Sequence, residues 1–228
     1  EAFSLHVLAQ TCLSGVGGGS PEEALMLGSE AGRLFCDLED RRWVASALGT
    51  ISKAHLALNA PEAALAASRD ALATWRELRG DFTDTTTHDE MVDEEAAALL
   101  GLAEAQRSMG RAAEALRSAT ESLELVRALL SDRQPLTGSL ARRLCEREGD
   151  ALLAVVQCHL ACKDFEKALE SGTEAHTRFR SSGDARREAA ALTAVAEAHI
   201  ARKEPTAARA AARQSVELLQ ELKDTAGE

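Results

Sequence analysis

Small side chains recur along this chain with the spacing of one face of an α-helix. The first set, Ala24, Gly28, Ala31 and Phe35, stands at positions i, i+4, i+7 and i+11. Small residues let a neighbouring backbone approach closely, and the bulky fourth residue fills the wider gap, so this small-residue stripe predicts a packed helix face. Four more stripes follow: Ala64, Ser68, Ala71, Trp75; Ala115, Ala119, Ser122, Val126; Ala168, Gly172, Ala175, Phe179; and Ala208, Ala212, Ser215, Leu219.

A second apolar set, with members at i, i+3, i+4 and i+7, precedes each stripe. The sets are Leu5, Leu8, Ala9, Cys12; Leu48, Ile51, Ser52, His55; Leu99, Leu102, Ala103, Gln106; Leu152, Val155, Val156, His159; and Leu192, Val195, Ala196, His199. In four copies, nine residues separate the last member from the first alanine of the next stripe, and in the first copy twelve do. A constant offset between two helical patterns predicts a tight antiparallel hairpin, used five times.

The alanine that opens each second helix, and the large-plus-small apolar pair in each first helix, resemble those of tetratricopeptide-repeat (TPR) proteins. Turns such as the one at 20–23, Ser-Pro-Glu-Glu, match as well. The stripe alanines recur at 40, 51, 53 and 40 residues, against about 34 in the standard repeat, which resembles the long-helix variety of about 40 residues with two insertions. The resemblance implies an all-α, right-handed superhelical solenoid of about five hairpins.

We expect one solenoid over residues 1–228, as part of a longer chain, with hairpins at about 2–38, 41–79, 93–130, 139–182 and 185–224. The acidic, threonine-rich insertion at 81–93 has no helical period, so we expect it, including its His-Asp-Glu triplet at 88–90, to be a solvated loop. The later part of the insertion at 131–145, from Ser139 on, is expected to extend the next first helix.

Helix boundaries follow from two residue types. Aspartates that come just after a stripe are predicted to cap the N-terminus of the next helix, namely Asp40, Asp184 and Asp224. Prolines are predicted to open second helices, where a missing N–H costs nothing, namely Pro21, Pro61 and Pro205.

The composition narrows the classes of ligand. The net charge is −11, which argues against nucleic acid or an anionic membrane as the main ligand. No apolar run is long enough to span a membrane, so direct membrane insertion is not expected. The five cysteines are scattered over predicted helices and indicate a reducing intracellular compartment, either cytoplasmic or an organelle interior if a leader has been removed.

Candidate chemistry is sparse. Cys158, His159 and Cys162 form the most metal-like cluster, but two thiolates do not complete a tetrahedral site, so we expect them to pack in the hairpin. His55, His159 and His199 recur where the family has a tyrosine, and we interpret them as one structural position filled three times. The glycine-rich turn at 14–20 lacks the residues of a phosphate loop. The sequence therefore predicts no metal, no cofactor and no enzyme.

In TPR proteins the first helices line the concave face, and the resemblance places a partner-binding surface there. It comprises Gln10, Leu13, Lys53, Leu56, Glu104, Arg107, Gln157, Leu160, Glu197 and Ile200, with His6 at the start of the series. The four aliphatic residues would form an apolar rail beside a polar row, which suits a helical or extended segment of a partner protein. The alternative, that the leucines pack against neighbouring first helices, stays open.

The predicted function is a non-catalytic protein–protein interaction scaffold, an adaptor that binds other proteins through this surface. A second prediction is a structural subunit of a large assembly, held by its edges, its insertions and an uncapped C-terminal helix. That helix carries apolar residues on more than one side, at Val216, Leu218, Leu219 and Leu222. A third, weaker possibility is the regulatory arm of a longer enzyme.

Overall fold

The computed structural model describes residues 1–14, 18–81, 85–132 and 138–226, which form ten α-helices and no strand. The helices are α1 (Ala2–Leu13), α2 (Pro21–Asp37), α3 (Arg41–Ala57), α4 (Pro61–Asp81), α5 (Thr85–Ser108), α6 (Ala112–Asp132), α7 (Gly138–Ala161), α8 (Phe165–Ser182), α9 (Ala185–Ala201) and α10 (Pro205–Ala226). The odd-numbered helices are the first helices of the hairpins, and the even-numbered ones are the second helices.

The helices group into two compact units, Glu1–Leu144 and Cys145–Glu228. In unit 1, each helix from α1 to α6 packs against the next one along the chain, and in unit 2 the same holds for α8, α9 and α10. Gly149 of α7 lies against the ring of Phe179 on α8. The prediction of an all-α fold made of repeated hairpins is therefore confirmed.

The small-residue stripes form the packed faces of the second helices. All four members of each of the first four stripes are buried. A Cβ atom added to Gly28 would lie 3.4 Å from Ile51 Cγ1, and one added to Gly172 would lie 2.7 Å from Val195 Cγ2. In the fifth stripe Ala212 and Leu219 are exposed, because no described helix other than α9 packs against α10.

One turn geometry closes four of the five hairpins. Asn59, Gly110, Lys163 and Lys203 each adopt a left-handed backbone, with φ from 56 to 75°. The N–H of the following residue donates to the carbonyl five residues back, as from Ala60 to His55 at 2.8 Å. This pairing satisfies the last carbonyls of the first helix and explains the constant nine-residue offset. His159 and His199 accept the same hydrogen bond as His55, so the three histidines share one backbone position.

The predicted caps are confirmed at two of three positions. Asp40 accepts from the Trp43 N–H at 3.3 Å, and Asp184 accepts from the Arg187 N–H at 3.0 Å. Asp224 lies inside α10, which runs on to Ala226, so its prediction as a cap of a following helix is wrong. The three prolines open α2, α4 and α10 as predicted.

The prediction of a solvated loop over 81–93 is wrong from Thr85 on, where α5 begins; residues 82–84 lie outside the described residues. Met91 and Val92 are buried, and Val92 joins an apolar cluster with Val126 and Leu144. This burial stabilises the extra helical turns, which the local sequence alone does not favour. In the second insertion α7 begins at Gly138, so Ser139 does extend a first helix.

Candidate partner-binding surface

The first helices of unit 1 touch each other directly. α1 contacts α3, and α3 contacts α5, whereas the second helices described in this unit, α2, α4 and α6, do not contact one another. The first helices of unit 1 therefore lie side by side. The face that the first helices of each unit turn away from the second helices is called the first-helix surface of that unit below.

On α1 and α3 the predicted residues differ in exposure. Gln10 and Lys53 are exposed, whereas Leu13 and Leu56 are half-buried. Leu56 also packs against the apolar core around Leu99. Its side chain therefore contributes to the core of unit 1, as the open alternative held, and only part of it faces outward.

On α5 the two predicted residues pair with each other. The Arg107 guanidinium donates through Nε to Glu104 Oε2 at 2.9 Å and through a second nitrogen to the other carboxylate oxygen. Both side chains are half-buried. This bidentate ion pair presents a planar, hydrogen-bonding group with no net charge, rather than two separate charges.

In unit 2 each first helix exposes one predicted polar residue, and α9 also exposes an apolar one. Gln157 of α7 and Glu197 of α9 are exposed, and Leu160 is half-buried. Ile200 keeps 66% of its surface exposed, which is unusual for so apolar a side chain. Leu160 and Ile200 each stand three residues before the left-handed residue of a hairpin turn.

His6 does not belong to this surface, although the sequence placed it there. Only 1% of it is exposed, because its ring packs against both Phe35 and Trp43, with ring centroids 6.2 and 5.7 Å away. Trp43 stands in the first turn of α3, and the pattern of α1 alone gave no sign that it would cover His6.

The sequence model of the tetratricopeptide repeat matches residues 44–84, which correspond to most of α3 and α4. A search of curated protein sequences found no match. The repeated hairpins, their offset and this match agree with one another. The chain has a TPR-type fold.

Solved structures show the same fold. A Podosopora anserina protein described as a kinesin light chain with nearly identical TPR-like repeats is 14% identical, with a TM-score of 0.65 over 96% of this chain and 95% of that one. A variant of it gives 0.67, also at 14% identity, over 97% and 95%. Aspartyl phosphate phosphatase F from Bacillus subtilis is 12% identical, with a TM-score of 0.71 over 98% of this chain and 51% of that one.

Ion pairs between neighbouring first helices are a feature of this TPR-type surface that the sequence did not reveal. They are Arg42–Glu90 at 3.4 Å, Arg143–Asp93 at 3.2 Å and Arg187–Asp150 at 2.8 Å. Burial lowers the pKa of the Arg187 guanidinium, but its bonds to Asp184 and Asp150 outweigh burial and raise that pKa above the ordinary value. The partners lie far apart in sequence and follow no period, so no local signal identifies them.

The described part of the TPR-type fold was predicted to hold no metal ion and no membrane-spanning helix. Within it no group of three or more His, Cys, Asp or Glu side chains is placed to hold a metal ion. Cys158 is buried and Cys162 exposed, so the two thiols of the predicted cluster differ in environment. None of the described helices is long and apolar enough to cross a membrane.

Proposed function

We propose that this chain is a non-catalytic scaffold that binds a helical or extended segment of a partner protein across its first-helix surface. The observation that carries the proposal is the direct contact between α1, α3 and α5, which sets their outward faces side by side. TPR-type folds in general mediate protein–protein interaction, and the ten predicted residues are the proposed contacts.

The side chains on this surface suit a peptide ligand. Exposed amides and carboxylates, as at Gln10, Gln157 and Glu197, can bond the main chain of a bound segment, while Ile200 offers an apolar contact. Packed helices lie about 8–10 Å apart. A ligand crossing two first helices would therefore advance about three residues per helix if extended and about six if helical.

The test compares two exposed aliphatic side chains on opposite kinds of helix. Ile200 on α9 is 66% exposed and Met26 on α2 is 62% exposed, so arginine at either position should leave the melting temperature almost unchanged. We expect Ile200→Arg to abolish partner capture and Met26→Arg to preserve it, because only the first would lie against the ligand.

The ligand is identified by a photo-crosslinking amino acid placed at Gln10, Gln157 or Ile200, and at Met26 and Thr173 as second-helix controls. In extract of the native cells, the first three sites should crosslink to defined segments of a partner protein, and the controls should not. Equal crosslinking from the controls, or capture unaffected by Ile200→Arg, would contradict the proposal.

The second candidate is a structural subunit held by its edges. Exposed Val216 and Leu219 on α10, at 51% and 42%, favour it, because they form an apolar face that a neighbour could cover. The first insertion gives this candidate less support, because its residues Met91 and Val92 are already buried within unit 1. Crosslinks from Lys223 to several fixed neighbours, with none from Gln10, would favour this candidate.

A further inference from the structure

His6 sits in an aromatic junction between three helices. Trp43 of α3 and Phe35 of α2 stack with ring centroids 5.6 Å apart, and both meet the imidazole edge to face. Phe3 covers Trp43 from the other side at 5.1 Å. The imidazole is thus the polar member of a group of rings that holds α1 against α2 and α3.

One nitrogen of the imidazole is satisfied and the other is not. Nε2 lies 3.0 Å from the Gln10 side-chain nitrogen and 3.1 Å from Ser46 Oγ. With the Gln10 amide donating, Nε2 accepts and the ring proton stands on Nδ1. Nδ1 is buried and finds no hydrogen-bond partner in the described structure, so an imidazolium here would bury a charged N–H without an acceptor.

Among the described residues, no charged side chain is hydrogen-bonded to the imidazole or stacked on it. The side chains that make those contacts, Gln10, Phe35, Trp43 and Ser46, are uncharged. No residue of α1 carries a fixed charge, and Cys12 is half-buried at its far end. The other titratable groups of α2 and α3 are exposed, apart from half-buried His55; they are Glu22, Glu23, Glu30, Arg33, Cys36, Asp37, Arg41, Arg42 and Lys53.

We propose that His6 is an acid-sensitive latch: its protonation releases α1 from α2 and α3. The rings of Trp43 and Phe35 would offer an imidazolium a cation–π attraction, which opposes release. Burial favours release, because desolvation lowers the pKa of the His6 imidazole below its ordinary value of 6.5.

The direction of the effect follows from linkage. A released α1 binds a proton on His6 below about pH 6.5, whereas docked α1 binds it only below the lowered pKa. Docking is therefore fully stable above pH 6.5 and weakens as the pH falls toward the lowered pKa. At pH 5 the fraction of released α1 can rise by as much as ~30-fold relative to pH 7.5.

Hydrogen exchange of the 228-residue chain tests the latch. Protection of the backbone amides of residues 2–13, corrected for the intrinsic pH dependence of exchange, should fall by up to ~30-fold between pH 7.5 and pH 5. His6→Gln should abolish this fall, because glutamine can still meet Ser46 but does not titrate. His88→Gln, on α5, should leave it unchanged. An equal fall in His6→Gln, or no fall in the unaltered chain, would overturn the proposal.

A second measurement covers the case in which His6→Gln fails to dock α1 at pH 7.5. The NMR titration of the His6 ring in the unaltered chain should have a midpoint below 6.5, and the loss of protection in α1 should begin near pH 6.5 and level off below that midpoint. A titration that leaves the protection of α1 unchanged would overturn the proposal whatever the variant does.

Discussion

At the scale of single residues, the hairpin turns impose one backbone conformation on different side chains. The left-handed position is a glycine in the third hairpin but a lysine in the fourth and fifth, at Lys163 and Lys203. L-residues pay about 1–2 kcal/mol for this conformation. The chain tolerates that cost because each turn closes with the same hydrogen bonds to the first helix.

At two glycines an added side chain would meet no neighbouring atom, so substitutions there show the effect of backbone conformation without steric clash. A Cβ atom added to Gly49 in α3 or to Gly110 in a turn would meet no atom within 4 Å, and only Gly110 has a positive φ, of 75°. We expect Gly49→Ala to raise the free energy of unfolding by about 0.5–1 kcal/mol and Gly110→Ala to lower it by about 1–2 kcal/mol.

Urea unfolding followed by circular dichroism measures both variants. Changes of the same sign would mean that the backbone conformation at Gly110 does not decide the result. Lys203→Gly provides an independent check, since removing the side chain from a left-handed position should raise the midpoint.

Which residues are buried could be predicted wherever the spacing was regular. The stripes of α2, α4, α6 and α8 are buried at every member, because a helix face repeats with a fixed period. His6 could not be predicted, since Trp43, which covers it, comes from the next hairpin. Burial set by a distant side chain leaves no trace in local spacing.

At the scale of helices, α5 shows how charge can fix a segment of weak helical preference. Glu95 is buried, with 2% of its side chain exposed, and pairs with Arg76 at 2.9 Å and Arg79 at 2.7 Å. Arg76 also reaches Glu121 of α6 at 2.6 Å. One buried carboxylate thus joins α5 to α4, and through Arg76 to α6.

Removing the charge of Glu95 should therefore cost far more than removing that of Glu121, which is 50% exposed. We expect Glu95→Gln to lower the free energy of unfolding by about 2–3 kcal/mol, because it breaks a buried ion pair. Glu121→Gln should cost less than about 1 kcal/mol. Chemical denaturation at low and high salt measures both, and equal losses would show that burial of Glu95 contributes little.

The start of α5 could not be predicted from the sequence, because contacts with distant residues stabilise it. Threonine and aspartate dominate residues 84–93 and favour turns over helix interiors. The helix forms there because Asp93 pairs with Arg143 and Val92 packs with Leu144, both of which lie about fifty residues further on. By contrast, α2, α4 and α10 begin at the predicted prolines, and α3 and α9 begin directly after the predicted aspartates.

At the scale of the whole molecule, packing within each unit is between neighbours along the chain, and in unit 1 successive first helices also contact each other. Stability in such folds is close to a sum of repeat and junction contributions. A change at one junction should therefore act on the hairpins that meet there and leave distant ones unaffected.

The glycines at the same stripe position test this locality. Gly172→Ala would bring a Cβ within 2.7 Å of Val195 Cγ2, whereas at Gly28 the nearest atom is 3.4 Å away. The β-branched valine cannot easily turn aside, so we expect Gly172→Ala to cost about 1–2 kcal/mol net and Gly28→Ala to be neutral or stabilising.

Hydrogen exchange locates the effect. Gly172→Ala should raise exchange in α8 and α9 and leave α1 to α4 unaltered. Loss of protection spread evenly over α1 to α10 would show that the chain unfolds as one cooperative body and would contradict the local picture.

The exposure of most of the predicted polar residues followed from the register that the first helices share. The polar members of the surface are exposed, apart from the paired and half-buried Glu104 and Arg107, but Leu56 packs in the core of unit 1. An exposed and a core-facing leucine one turn beyond the packed set look identical in sequence. The ion pairs that join the first helices depend on side-chain reach across hairpins, which no spacing encodes.

Nearest-neighbour packing also has a mechanical meaning. Pulling on the two termini would load the junctions in series, so the weakest hairpin should yield first and the others should hold until the force rises again. A repeat of 40 residues stretches to roughly 130 Å when extended. The force–extension curve should therefore show a series of force peaks, one for each hairpin that unfolds.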